Sequence, residues 1–348
     1  MNLIFLSDVI LTVLALICLI VASYTDFKKR EVANWISFSL LIAALVIRTM
    51  VSIFLASNFL QVILSFILFI LFVLGIFFYL KNEVPWLEFV IAIIFIGVWF
   101  FSGFLNLNIY LVSCFLAFGI LVILTNFMYY GKMSGGADVK ILLALAVVFS
   151  TTPVFLKHAY DLFVPVFGFS VPNIFLFDFF VDSLFVGLAF GVLFSIFMAF
   201  RNKKVFCKKF KEFSKKYLVF EIILIVLGIV LLILSIFQRF LIIFGIFLII
   251  IPFLLVFISS VQEASMKKYK SWKELTEGDW LVEDVRVNKK IIKPSADGLT
   301  KKDILLIKKS GKKVLVLDGM PFVPVFLISL IVSLIFGNLL FLLLKILT

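Results

Sequence analysis

The sequence predicts an α-helical polytopic membrane protein of about ten transmembrane helices, with a small cytoplasmic α+β module before the last helix. Three observations predict it: an apolar composition, a series of long uncharged runs, and a one-sided distribution of basic residues. Of 348 residues, 64% are hydrophobic, 15% are charged and 46 are phenylalanine. That is more apolar surface than a single aqueous domain of this size can bury. Lipid is the solvent such a chain requires.

A helix crosses the hydrocarbon core with about 20 residues and satisfies its own backbone polar groups there. Runs of that kind lie at 3–24, 34–56, 59–80, 86–104, 108–130, 138–152, 173–200, 218–237, 240–260 and 322–345. The first has no basic segment ahead of it and exceeds the apolar core of a signal peptide, so it reads as a retained helix. The sixth is the shortest and begins at Asp138, which implies a tilted span or one that continues towards Leu156.

With the amino terminus outside, alternate loops are cytoplasmic. They hold 28 of the 32 Lys and Arg residues: three in 25–33, one in 81–85, two in 131–140, eight in 201–217 and fourteen in 261–320. The positive-inside rule then predicts a multi-pass protein of the cell membrane with both termini outside and an even number of spans. The net charge of +12 is accounted for by topology, and no nucleic-acid partner is expected.

The chain divides by composition into a transmembrane core of about nine helices (1–260), a soluble module (261–320) and a final transmembrane helix (321–348). The module's first residues extend the ninth span as a helix. Gly278 and Asp279 signal a turn, and WLVEDVRV reads as a strand. Thr300 with Asp303 ahead of ILLI reads as a helix cap, Gly311 as its stop, and KVLVL as a further strand.

The module's Lys-rich surface reads as a solvated face, or as one that binds anionic headgroups or a partner. The segment RNKKVFCKKFKEFSKKY at 201–217 alternates basic clusters with aromatics, as a loop lying on an anionic leaflet does. Cys18, Cys114 and Cys207 form no CxxC pair, so neither a disulfide framework nor a zinc site is expected, and no cofactor is implied.

Acidic residues cost roughly 2.5–3.5 kcal/mol near a helix centre in a membrane, so those in or beside spans are the functional candidates. Asp8, Glu88 and Glu221 sit near span ends and read as hydrated interface residues. Asp178 and Asp182, one turn apart in FDFFVDSL, read as helix-start carboxylates, with an external cation or proton site as the alternative. His158, in an external loop, is given no role.

Asp26 and Asp138 differ, because each lies at the cytoplasmic end of a span in a distinctive local sequence. Asp138 follows Gly135, Gly136 and Ala137 in GKMSGGADVKILLALA, where small residues admit close backbone approach and irregular dihedrals. Asp26 lies in SYTDFKKREVANWIS, ending one helix before a basic turn, with Asn34 placed to cap the next. Brought together, the two acids would form a dyad sharing one proton, since like charges a few ångströms apart resist joint ionisation. One would activate a water against an amide carbonyl while the other donates to the carbonyl oxygen. Lys140 would keep one acid ionised or steer substrate, or be an ordinary interface lysine.

At these residues the chain resembles the archaeal preflagellin and prepilin peptidases, members of the GxGD class of membrane aspartyl peptidases. Gly136-Ala137-Asp138-Val139-Lys140 before ILLALA is similar to the family's GxGDxK block. Asp26 followed by Val32-Ala33-Asn34 is similar to its first aspartate and Ile-Pro-Asn element, and Pro321-Phe322-Val323-Pro324 to the opening of its final helix. Ala137 stands in place of the naming glycine and Ala33 in place of a proline. Four complete spans between the two acids imply an enlarged branch. The absence of a cysteine-pair zinc module of the bacterial kind argues against a methyltransferase activity.

The resemblance implies an endopeptidase with Asp26 and Asp138 catalytic and Gly135, Gly136, Ala137, Lys140 and Asn34 supporting. It also implies precursors bearing a short basic leader and a hydrophobic helix as partners. Signal-peptide peptidases and presenilins share the YD and GxGD logic, but their late Pro-Ala-Leu element is not found here. Readings of another class are a secondary transporter or channel using intramembrane carboxylates, or a non-catalytic scaffold for pilus assembly.

Overall fold

The computed structural model describes residues 3–29, 32–81, 85–104, 109–130, 135–156, 174–238, 241–276, 278–287, 290–295, 298–317, 319–339 and 342. Helices α1 (Leu3–Lys29), α2 (Asn34–Phe54), α3 (Phe59–Lys81), α4 (Pro85–Phe104), α5 (Ile109–Tyr130) and α6 (Gly136–Val148) come first. They are followed by α7 (Ile174–Arg201), α8 (Lys203–Leu234), α9 (Leu241–Val261), α10 (Lys301–Ser310) and α11 (Val323–Phe336). Each of the ten apolar runs of the sequence contains a helix among the described residues. Among the described residues seven helices (α1, α2, α3, α5, α7, α8 and α9) are long and apolar enough to cross a membrane, and α4 and α11 carry shorter apolar stretches. His158 lies outside the described residues.

The chain forms two compact units, residues 1–189 with 321–348, and residues 190–320. This division differs from the compositional one at 260/261: α8 and α9 belong with the module, and the last helix belongs with the first six.

In the first unit α6 is the centre. It is apolar on every side, and Val139 and Ile141 to Val148 are all buried, as expected of a helix enclosed by others. It packs on α2 and α5 and touches α1, while α11 packs along α1. Phe72, Phe95, Phe115 and Phe118 of α3, α4 and α5 form an aromatic cluster with ring centroids 4.9–5.4 Å apart. At Gly119 a Cβ would lie 2.9 Å from the Ala92 carbonyl oxygen, so only glycine admits this close crossing of α4 and α5.

The sixth run does not continue as one helix towards Leu156. It stops after 13 residues, about 20 Å of helix, and a separate turn of 3-10 helix covers Val154–Leu156. A helix ending short of the apolar boundary leaves carbonyls without water. Arg48 of α2, fully buried, supplies the donors. Its Nη2 donates to the Val148 carbonyl at 2.6 Å, and its Nη1 to the Tyr110 carbonyl and Thr151 Oγ1, each at 3.1 Å. The guanidinium also lies over the Tyr110 ring, 4.3 Å from its centroid.

Tyr110 in turn donates its hydroxyl to Asp8 Oδ1 at 2.7 Å, and Asp8 Oδ2 accepts from the Val154 N–H at 2.9 Å. Asp8, expected at a hydrated interface, is instead buried, its carboxylate bonded to Tyr110 and to the Val154 N–H. Asp178 and Asp182 are likewise fully buried rather than hydrated helix-start residues. Asp182 accepts from Ser333 Oγ at 2.6 Å and from the Leu339 N–H at 2.8 Å, and Asn338 Nδ2 donates to Asp178 at 2.6 Å. These bonds hold the far end of α11, 14 residues long, as Arg48 holds that of α6. Glu88 is buried too, with Asn126 as its polar neighbour, whereas Glu221 stays half-exposed as expected.

In the second unit α8 and α9 form an antiparallel hairpin. Gly228 and Gly245 face one another so closely that a Cβ on either would meet the other's carbonyl oxygen at about 3 Å. The segment 201–217 is not a loop. Residues from Lys203 onward are already helix, continuous with the following apolar stretch. Phe206, Phe210, Phe213 and Tyr217 recur at helical spacing, with Phe206 reaching Phe257 of α9 (centroids 5.4 Å apart). The aromatics fall on one stripe and most lysines opposite, which resolves the alternation seen in the sequence.

Beyond α9, a five-residue π turn (Gln262–Met266) leads into β1 (Lys267–Lys270). A three-stranded antiparallel sheet has the order β1-β5-β2, with β2 at Trp280–Leu281 and β5 at Val314–Leu317. Strands β3 (Val285–Val287) and β4 (Lys290–Ile292) pair separately. WLVEDVRV is thus two strands in two sheets. The Thr300–Asp303 capping box forms as read, and Gly311, at φ +65°, ends α10 in the left-handed conformation.

Replacing Arg48 by methionine keeps the volume but leaves the Val148 and Tyr110 carbonyls and Thr151 Oγ1 without their donor. Unfolding in detergent is expected to show a loss of about 3 kcal/mol, because buried carbonyls are left unsatisfied. Equal stability of R48M and the parent would disprove this role.

Candidate functional site

Asp26 occupies the last turn of α1 and is buried. Its Oδ2 accepts a hydrogen bond from the backbone N–H of Val323 at 3.1 Å. Val323 is the first residue of α11, where the leading N–H groups have no intrahelical acceptor. Pro324 has no N–H, Val325 N–H goes to the Phe322 carbonyl, and Val323 N–H goes to Asp26. The proline at the second position suits the fixed φ of a helix start. The carboxylate thus meets the positive end of the α11 dipole.

Asp138 stands in the first turn of α6. Its Oδ2 accepts from the Gly135 N–H at 3.0 Å, closing the helix start from within. Helix α1 packs on α6, which brings the two acids within electrostatic range of one another. Each carboxylate is therefore held by one backbone N–H at the start of a short helix, α6 for Asp138 and α11 for Asp26. Fixed N–H donors and helix dipoles of this kind favour negative charge without the reorganisation that water requires.

Asn34 does not cap α2. Ala33 is the cap residue, without a side-chain bond, and Asn34, the first helical residue, accepts from Lys140 Nζ at 2.8 Å. Lys140 thus ties the start of α6 to the start of α2, and this bond leaves its ammonium directed at an amide. Gly135 adopts an ordinary extended conformation (φ −79°, ψ 160°). A Cβ there would lie 3.5 Å from Asp138 Oδ2, and one at Gly136 3.7 Å from the Tyr129 ring. Irregular dihedrals are therefore not what these glycines supply. Residues 135 to 138 are half-buried.

One turn deeper, a narrow crevice opens between α1, α2 and α6, lined mainly by apolar side chains including Leu19, Ala22, Ile36, Leu40 and Ala144. Among the described residues no group of three or more His, Cys, Asp or Glu side chains could hold a metal ion. Sequence reading, confined to acids, passed over Arg48; the available signal was an arginine inside an apolar run, which is costly unless paired. No protein-family model, curated protein or solved structure matches the chain.

Asn34→Ala and Lys140→Met delete the same bond. Each is expected to lower stability by about 1 kcal/mol, and the double variant by little more than either. Denaturation of the four proteins in one detergent measures the coupling, and fully additive losses would show that the two residues act independently.

Proposed function

We propose that this protein is a membrane aspartyl endopeptidase that removes the basic leader from type IV pilin-like or archaeal flagellin-like precursors at the cytoplasmic membrane face. The observation that carries this reading is the meeting of three remote segments, those around Asp26, Asp138 and Pro321 to Pro324. These are the segments that resemble the archaeal peptidases: Asp26 accepts from the Val323 N–H and lies within electrostatic range of Asp138.

In this reading α4, α6 and α11 also cross the membrane, giving ten spans with both termini outside. The basic residues beside Asp26 and Asp138 then place the dyad at the inner leaflet. A scissile amide between a polar leader and an apolar helix lies at the same depth.

Catalysis requires one carboxyl ionised and the other protonated. The ionised acid takes a proton from water as the water oxygen bonds to the amide carbon, and the protonated acid gives its proton to the carbonyl oxygen, forming a neutral diol. Collapse of the diol breaks the C–N bond. The amine leaves with the proton taken from water, one diol hydroxyl returns its proton, and the dyad regains its starting state. The backbone N–H groups on Asp26 and Asp138 position the acids, and Lys140 with Asn34 fixes the separation of α6 and α2.

The principal alternative, ion coupling through intramembrane carboxylates, finds its support in the burial of Asp178 and Asp182. Their bonds to Ser333, Asn338 and Leu339, however, serve the end of α11.

A cleavage assay in membranes, using leader-bearing pilin and flagellin precursors, tests the proposal. Asp26→Asn and Asp138→Asn are each expected to abolish cleavage, because a dyad fails as a unit, while Asn34→Ala retains partial activity. Full cleavage by either Asp variant would remove that acid from the mechanism. Parent protein that cleaves no precursor, but carries protons across vesicles in a manner lost in Asp178→Asn, would favour ion coupling.

A further inference from the structure

The peptidase reading makes no use of α10, the helix of the sheet-bearing module. Ile307 on one side is fully buried, packed in the module's core with Leu299, Val314 and Val316. The opposite side is unusual in its order. At 100° per residue, Lys308, Lys301, Leu305, Lys309 and Lys302 follow one another across an arc of about 120°. All five are exposed, Leu305 at 57%. A bare aliphatic side chain thus stands at the middle of four ammonium groups, with no acid in the arc. Asp303, the acid of this helix, faces away and is bound in the capping box with Thr300.

We propose that this face of α10 docks on the anionic lipid headgroups of the membrane that holds the chain, with Leu305 entering the headgroup layer. Charge complementarity selects the occupant: lysine stems lie along apolar surface while their ammonium groups meet phosphate. Connectivity supplies the encounter. β1 starts directly after the five-residue turn that ends α9, and β1 pairs with β5, which follows α10 after three residues. The helix is therefore tethered to a membrane span, and docking costs little of the freedom that a separate molecule would lose. Lys308 also lies over the Trp272 ring, 4.6 Å from its centroid, which holds one edge of the arc in place. This inference does not rest on peptidase activity.

The test uses the full chain reconstituted in vesicles. An environment-sensitive fluorophore is attached at Leu305→Cys, with Cys18→Ala, Cys114→Ala and Cys207→Ser removing other thiols. In vesicles of phosphatidylcholine with phosphatidylglycerol, the label is expected to shift to shorter wavelength and to be quenched by spin-labelled lipid. In phosphatidylcholine alone it should report water. Salt at about 0.5 M, which cuts the Debye length to roughly 4 Å, should reverse the shift with all lysines intact. Replacing Lys301, Lys302, Lys308 and Lys309 by glutamine should lower the docked-to-undocked ratio at least about tenfold. A label in water in both lipids would overturn the proposal. So would shielding that is equal in both lipids and indifferent to salt, which would mean that protein, from this chain or a second copy, covers the face.

Discussion

Two short helices whose ends are closed by polar side chains impose the main constraint on the first unit. An apolar helix solves the backbone problem along its length and leaves it unsolved at its termini. α6 and α11, at 13 and 14 residues, are both shorter than the thickness of hydrocarbon, about 30 Å. Each is completed by ionisable or polar side chains at both ends. Arg48 donates to the Val148 carbonyl of α6, and Asp182 accepts from the N–H of Leu339 just beyond α11. At the other ends Asp138 and Asp26 receive the Gly135 and Val323 N–H groups.

The same arrangement accounts for the position of the candidate site. A carboxylate needs fixed donors to persist away from bulk water, and a helix start offers them. Two helix starts close together bring two carboxylates close together. The electrostatic cost of that proximity is the property a peptidase dyad uses, since it keeps one proton between the pair. Structural capping and the proposed chemistry are therefore two consequences of one geometry, and the anchors at the far ends set how far α6 and α11 can shift.

Neighbouring residues encode much of this. Hydropathy over about 20 positions marked the apolar helices. The Thr300–Asp303 box and Gly311 stop were legible because capping acts over three or four residues. The short acid-bearing segments at Asp26 and Asp138 stood out for the same reason: cost in hydrocarbon and small neighbours are local properties. Where a local rule misled, packing had supplied a different partner. Asn34 has the side chain of a cap but bonds to Lys140, 106 residues away. Most lysines of 201–217, which read as a loop, belong to one face of α8 once the aromatic stripe finds its packing.

The sequence by itself determined the solvent, the helices and the identity of the acids worth attention, since each depends on a residue's own transfer free energy or on neighbours within a turn. Tertiary structure alone decided that Asp26 meets Val323 across 297 residues, that Arg48 closes α6, and that Asp8, Asp178 and Asp182 are buried and hydrogen-bonded rather than hydrated. A buried polar group must find a partner, but which partner it finds depends on which helices pack together, and apolar helix faces of similar composition carry little local record of that choice.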